Sequence, residues 1–463
     1  MGDTSHDVAP DLWAPAIESG VPLFLLSVAR FPRRGCGPLN MLPVTDARAP
    51  KNRRQFIAQL GLAATVTACR STAGGIARRV SPRILFTSQG KTVSIDADGT
   101  NRKIWHFDQP GQATWQPGAV FPDGRRVLLL SMEPRRDGPG RPFEEYYTQT
   151  PTHLWIYDLA TGGLEEIATK ERLAVFYTPA LLIGDRQMLV QVVRNRVGQI
   201  FRMNLDGTGA EEFTRAGEGL PYGLSLSPDQ KRVAFHLASP QGYQIWTSDL
   251  AGRDRKLVAA DSDQLYFGPM WSPDGAWLAF AACRYRQDPG HDWADICISR
   301  PDGSERRVLT EGQPMWFAAT YGTPSNKGGG SNVVAWSHTG EILFPRRLPG
   351  TRVPWEYQSD RPDTDHFNRE YKPERAQGGV QIARLNPTTG ALKLVTPETP
   401  GRWDFRVSES PDGRELVFCR SLTGGVPAIW RMSADGTNPR ILATGLDAGG
   451  ADHPRWMAAA SKR

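Results

Sequence analysis

Trp271-Ser272-Pro273-Asp274-Gly275 is followed by the apolar run Trp277–Ala281, a connection, a second run Asp295–Ser299, a turn at Asp302-Gly303 and a short third run Arg307–Leu309. Asp-Gly supplies the positive φ that a tight hairpin turn requires, so a stretch built this way folds as antiparallel strands joined in sequence. The pattern recurs along the chain. Related first turns stand at Pro122-Asp123-Gly124, Gly184-Asp185, Pro228-Asp229-Gln230, His338-Thr339-Gly340 and Pro411-Asp412-Gly413. Related second turns stand at Asp98-Gly99, Thr161-Gly162, Asp206-Gly207, Ala251-Gly252, Thr389-Gly390 and Asp435-Gly436. Before many of these lies an apolar–aromatic pair, as in Leu154-Trp155, Ile200-Phe201, Ile245-Trp246 and Ile429-Trp430. Where nothing is inserted, one repeat takes about 45 residues, the length of a four-stranded unit.

With the turns of the opening stretch included, there is one more second turn than first turns. The chain enters on a second strand, Arg83–Thr87, and leaves on a first strand, His453–Trp456. Those two ends together make the missing unit, and joining them removes an open sheet edge. The sequence therefore predicts an all-β, seven-bladed β-propeller of four-stranded antiparallel blades, closed by pairing of its N- and C-terminal strands. Six blades is the alternative, because the Leu182–Val190 unit is degenerate. The Ser-Pro-Asp-Gly turns and the Ile-Trp…Asp-Gly turns resemble the TolB-type, WD40-like propeller repeat over residues 83–456. That resemblance speaks for the fold and little for the chemistry, since propellers host binders and enzymes alike. In one respect the chain departs from it: TolB carries an α/β domain before its propeller, and here only residues 70–82 separate Cys69 from the first strand.

Composition agrees with a strand-rich globular chain. Of 463 residues, 39% are hydrophobic and 22% charged, with 14 Trp, 47 Gly and 37 Pro, which argues against disorder and against a helical bundle. The net charge of +6 arises from 55 basic and 49 acidic residues, too dilute a surplus to predict a nucleic-acid partner. Beyond Cys36 and Cys69, only Cys283, Cys297 and Cys419 remain, an odd number that makes no disulfide framework. Cys297 takes the place of the aromatic residue of other repeats and reads as a buried thiol. No structural zinc site is predicted.

Ahead of the repeats, Arg53-Arg54 precedes Phe56 and an apolar run to Ala68, with Val66-Thr67-Ala68-Cys69 at its end. This resembles a twin-arginine export signal joined to a bacterial lipobox, which implies export and acylation of Cys69. The run is too short to cross a bilayer, which takes about 20 apolar residues. Residues 1–40 read as an upstream mis-start or a disordered segment, 41–68 as the export signal, 69–82 as a linker and 457–463 as a tail. The expected location is periplasmic or cell-surface, on a membrane through the lipid anchor, as a monomer.

Function is expected where the long insertions fall: Met132–Thr152, Arg284–Ala294, Thr310–Asn332 and Pro345–Gly379. In a blade whose strands alternate in direction, all four emerge on the face opposite the tight Asp-Gly turns, and loops on a rigid scaffold carry function. The candidate ligand-binding residues are Arg286, His291 and Asp292 in one insertion, and Arg346, Arg347, Trp355, Tyr357, Asp363, Asp365, His366 and Arg369 in another. Guanidinium forks hold carboxylates and flat rings stack on sugars, so an anionic glycan or an envelope protein is the expected partner. The bland alternative is that these side chains pin a long loop. His106, His153, His236, His338 and His453 read as structural. No G-x-S-x-G elbow and no phosphate-binding glycine loop is present, so no catalytic residue, cofactor or metal is assigned. One enzymatic resemblance stands beside this: oligogalacturonate lyases also have a TolB-like propeller, with a histidine-bound metal. A metal-assisted polysaccharide lyase or hydrolase is therefore the alternative function, and a divalent metal is expected only there.

Overall fold

The computed structural model describes residues 83–457, apart from 106, 113, 133–151, 174–179, 196, 240–241, 263, 285–293, 315–316, 320–328, 332–333, 358–368 and 447–449. Strands dominate, with one 3-10 turn at Pro373–Arg375. The first three are β1 (Arg83–Ser88), β2 (Lys91–Asp96) and β3 (Lys103–Trp105). Next come β4 (Thr114–Val120), β5 (Arg126–Met132), β6 (Thr152–Asp158) and β7 (Leu164–Ile167), paired in that order. A third sheet holds β8 (Leu181–Ile183), β9 (Gln187–Arg194), β10 (Val197–Asn204) and β11 (Glu211–Glu212). The fourth holds β12 (Leu220–Leu226), β13 (Arg232–Ser239), β14 (Gly242–Asp249) and β15 (Lys256–Ala259). The fifth holds β16 (Gln264–Trp271), β17 (Leu278–Arg284), β18 (Asp295–Ser299) and β19 (Arg307–Val308).

After the hairpin β20 (Phe317–Ala319) and β21 (Gly329–Ser331) come β22 (Ala335–Trp336) and β23 (Ile342–Arg347). A second hairpin, β24 (Trp355–Tyr357) and β25 (Arg369–Tyr371), precedes β26 (Val380–Leu385) and β27 (Leu392–Leu394), which complete the sheet of β22 and β23. The seventh sheet is β28 (Arg402–Glu409), β29 (Glu415–Leu422), β30 (Ala428–Ser433) and β31 (Arg440–Ala443). Finally β32 (Asp452–Trp456) pairs antiparallel with β1, Ile84 opposite Trp456 and Thr87 opposite Asp452, giving a sheet ordered β3-β2-β1-β32. The described residues are thus all-β, in four-stranded antiparallel units, with a single parallel bridge joining the fourth unit to the fifth (Tyr243–Leu265) and the sixth to the seventh (Val380–Trp403). The Leu182–Val190 segment, degenerate in sequence, forms β8 and the start of β9, and its sheet has four strands like the others.

The turn chemistry explains the repeat. Ser227 and Ser410 donate from Oγ to Asp229 and Asp412 at 2.7 Å, and the same serine oxygens accept the backbone N–H groups of Arg232 and Glu415 at 2.9 Å. Those side-chain bonds satisfy amides that a tight turn leaves unpaired. At Ser272 the equivalent bond reaches Trp277 N at 2.9 Å. The strand expected to begin at Trp277 begins one residue later, at Leu278.

Each sheet is covered on both faces, so its middle strands read as unbroken apolar runs, such as Val127-Leu128-Leu129-Leu130, all buried;. Leu128, Leu130 and Leu154 pack with Met188, Val190 and Phe201 of the next sheet. Leu189 and Ile200 pack in turn with Val233 and Phe235. The same holds for Ala234 and Ile245 with Leu278 and Phe280, for Ile296 and Ile298 with Ile342 and Phe344, and for Leu343 and Ile382 with Leu416 and Phe418. Trp403, Phe405 and Val417 meet Ile84, Phe86 and Trp456, while Leu85 and Trp105 meet Trp115 and Val127. A repeated tie joins first strands: the indole N–H of Trp271 donates to Ser225 O (3.0 Å), that of Trp336 to Met270 O (3.0 Å) and that of Trp456 to Ser408 O (3.1 Å).

Candidate functional site

Arg346 and Arg347 end β23, where the insertion Pro345–Gly379 begins. Arg346 forms a β-bridge with Pro314, and Arg347 N–H donates to Gln313 O at 2.9 Å. Ala294 N–H donates to Pro314 O at 3.3 Å, and Asp295 accepts from Gly312 N (2.6 Å) and Thr310 Oγ1 (3.0 Å). The roots of three of the four insertions therefore meet at this pair of arginines. The fourth insertion, Met132–Thr152, springs from β5 and β6, where His153 Nδ1 lies 2.7 Å from Glu166 Oε1.

The two guanidiniums differ in their partners. Arg347 Nε donates to Gly312 O, and burial, then the neighbouring Arg346, lower its pKa, with Asp295 opposing them. Arg346 Nη1 donates at 2.7 Å to the amide oxygen of buried Gln381, whose nitrogen donates to Thr396 O at 3.2 Å. Arg346 Nε is buried without a partner among the described residues. A buried N–H of that kind normally has an acceptor.

Further along this insertion, the backbone register sets Trp355 opposite Tyr371 and Tyr357 opposite Arg369 in one hairpin. Arg286, His291, Asp292, Asp363, Asp365 and His366 lie outside the described residues. Among the described residues, no three His, Cys, Asp or Glu side chains gather as a metal site.

A second constellation, which the sequence reading passed over, sits on the first strands β28 and β32. Ten non-glycine residues among those described have positive φ, and only Arg406 (51°) and His453 (54°) lie inside strands. Both occupy the bulge of a first strand, where β12 and β16 carry Gly223 and Gly268, each with φ 64°. A side chain in that conformation costs about 1–2 kcal/mol, which glycine avoids. Such strain collects at functional sites.

Around this bulge the charges interlock. Arg406 Nη1 lies 3.3 Å from Asp452 Oδ2 and also donates to His453 Nε2. Cys419 Sγ and His453 N–H donate to Asp452 Oδ1 at 3.2 and 2.7 Å. Burial opposes ionisation of Asp452, but Arg406, then His453 and these donors, outweigh it and hold its pKa down. Burial and the Asp452 carboxylate push the Cys419 thiol well up, so it stays protonated. The His453 side chain is 58% exposed; partial desolvation, then the Arg406 and Arg455 charges with Asp452 opposing them, lower its pKa to about 4. With Nε2 against Arg406, Nδ1 of the ring lies 3.5 Å from Thr87 Oγ1. Arg455, lowered by burial to about 10, donates to Gly118 O on β4. A sequence signal for this site existed: His453-Pro454 aligns with Gly268-Pro269, each three residues before a tryptophan that makes the repeated tie.

No model of a known protein family matches the sequence. Over 119 residues the chain is 29% identical to ubiquitin carboxyl-terminal hydrolase 14 of Schizosaccharomyces pombe, a match covering 24% of this chain and only 15% of that protein. Among solved structures, TolB from Acinetobacter baumannii is similar with a TM-score of 0.42 at 15% identity, over 81% of this chain and 66% of that one. An oligogalacturonate lyase in complex with manganese gives 0.49 at 14% identity, over 78% and 85% of the two chains. A puromycin hydrolase gives 0.46 at 13% identity, over 79% and 54%.

Proposed function

We propose that this chain is an exported, lipid-anchored, seven-bladed β-propeller of TolB-like type that works as a binding module, taking an anionic or carbohydrate ligand, or an envelope partner, on its insertion-rich face. Two observations support the ring. Core layers lie between every successive pair of sheets, including the pair that flanks the shared terminal sheet. The Trp456–Ser408 tie repeats at that junction the tie found between ordinary neighbours. Export and anchoring rest on Arg53, Arg54 and Cys69 alone.

The observation that carries the binding reading is the meeting of three insertion roots at Arg346 and Arg347, with a buried Arg346 N–H left to find an acceptor. Structural pinning of a loop uses up its donors; here one is held back. A carboxylate from a uronic acid, or from an acidic protein segment, would complete it bidentately. The test is a panel of neutral and acidic oligosaccharides offered to the full chain, with and without EDTA. Retention of the acidic members without turnover upholds the module. Metal-dependent formation of an unsaturated uronide would replace it with the lyase reading. Absence of both sinks the glycan assignment.

A further inference from the structure

We propose that Arg406 and His453, backed by Arg455, form a site for a singly charged oxyanion at the seam between β28 and β32. It does not rest on the insertion-loop reading, since none of its residues belongs to an insertion.

Four observations lead there. Left-handed backbone inside strands is kept at two adjacent bulges where two other sheets use glycine, so the side chains, not the turn geometry, account for the residue choice. Arg406 is nine-tenths buried (9% exposed), and its Nε has no partner among the described residues. The His453 ring lies over it and faces solvent. Two guanidiniums, Arg406 and Arg455, stand against the single Asp452 carboxylate and leave a surplus of one positive charge. A carboxylate-sized anion fits that balance, whereas a doubly charged phosphate would exceed it. The seam opens on the insertion side: Asp452 pairs with Thr87, which precedes the β1–β2 turn at Gln89-Gly90, a connection of the same kind as the insertions.

On binding, the anion would accept from the Arg406 fork, and His453 would release its Nε2 contact with Arg406 and turn an N–H to the ligand. The carboxylate can come from a free small acid or from a sugar acid, and the probes separate the two. The full chain is titrated calorimetrically with sodium acetate, and separately with glucuronate, at constant ionic strength set by chloride. Wild type is expected to bind acetate in excess chloride; glucuronate binding at least as tightly points to a sugar-borne source, and weaker binding to a free acid. Arg406→Lys keeps the charge beside Asp452 but loses the fork, and His453→Gly restores the residue that β12 and β16 use. Each is expected to weaken acetate binding about tenfold or more. His453→Gly should do so with an unchanged or raised unfolding temperature, which a purely structural histidine would not give. The proposal is overturned if wild type shows no acetate binding over chloride, or if either folded variant binds as wild type does. Should His453→Gly fail to fold, Arg406→Lys alone decides.

Discussion

Two pairs of first strands contrast within one repeat. In β12 and β16 the bulge is made by Gly223 and Gly268, and at Gly223 even a Cβ would stand 2.6 Å from His236 Nδ1. In β28 and β32 the same bulge is made by Arg406 and His453, whose side chains reach each other and the Asp452 carboxylate. The first pair shows what the scaffold needs at that position, namely no side chain. The second pair keeps side chains there in spite of the conformational cost;.

The largest effect should come from removing the second pair's strand. Deleting residues 452–463 takes away β32, exposes the edge of β1 and leaves Arg406 without Asp452. A loss above about 5 kcal/mol is expected, given that truncating one buried Trp alone costs about 3–5 kcal/mol. Thermal unfolding that matches the full chain would show that β32 contributes nothing to closure.

Next in size is Asp404→Ala. Asp404 is fully buried and holds Arg420 bidentately at 2.6 and 2.9 Å, with Arg402 at 3.5 Å. Removing it strands two guanidiniums at a cost of about 3–5 kcal/mol. Denaturant titration checks this, and a loss below 1 kcal/mol, roughly a surface pair's worth, would mean that the pair is solvated.

Gly223→Ala should cost about 2 kcal/mol or more, from the left-handed backbone together with displacement of the His236 ring;. A neutral result would show that the bulge can reshape itself, and the contrast with Arg406 and His453 would lose its meaning.

The smallest effect concerns pH. His453 falls from an ordinary 6.5 to about 4 in the fold, so its contribution is complete above pH 6.5 and is lost as pH falls towards 4, where the unfolded chain alone takes up the proton. Asp452, also held down, adds a loss of the same sign at lower pH. Unfolding measured across that window should slope less in His453→Gln than in wild type. Equal slopes would place His453 in an ordinary solvated setting.

The repeat was legible because its turns obey a local requirement: Ser-Pro-Asp caps a tight turn and Asp-Gly takes the positive φ, whatever the rest of the chain does. Even where those residues fail, at Leu182–Val190, apolar continuity alone recovers the strands. The insertions were legible as interruptions of the period, and Arg346 and Arg347 stand at the shared root of three of them. His453 was read only as structural, because a histidine in a strand carries no mark of left-handed backbone. That property appears only when its position is aligned with Gly268 and the bulge is seen.

The claim that the insertion face binds anionic ligands is tested most directly by titrating the full chain with an oligogalacturonide at several salt concentrations, beside the Arg346→Ala/Arg347→Ala double variant. The account predicts an affinity that falls as salt rises and a loss of about tenfold or more in the variant, with its unfolding midpoint within a few degrees of wild type. An affinity that is insensitive to salt and equal in the two proteins would contradict it.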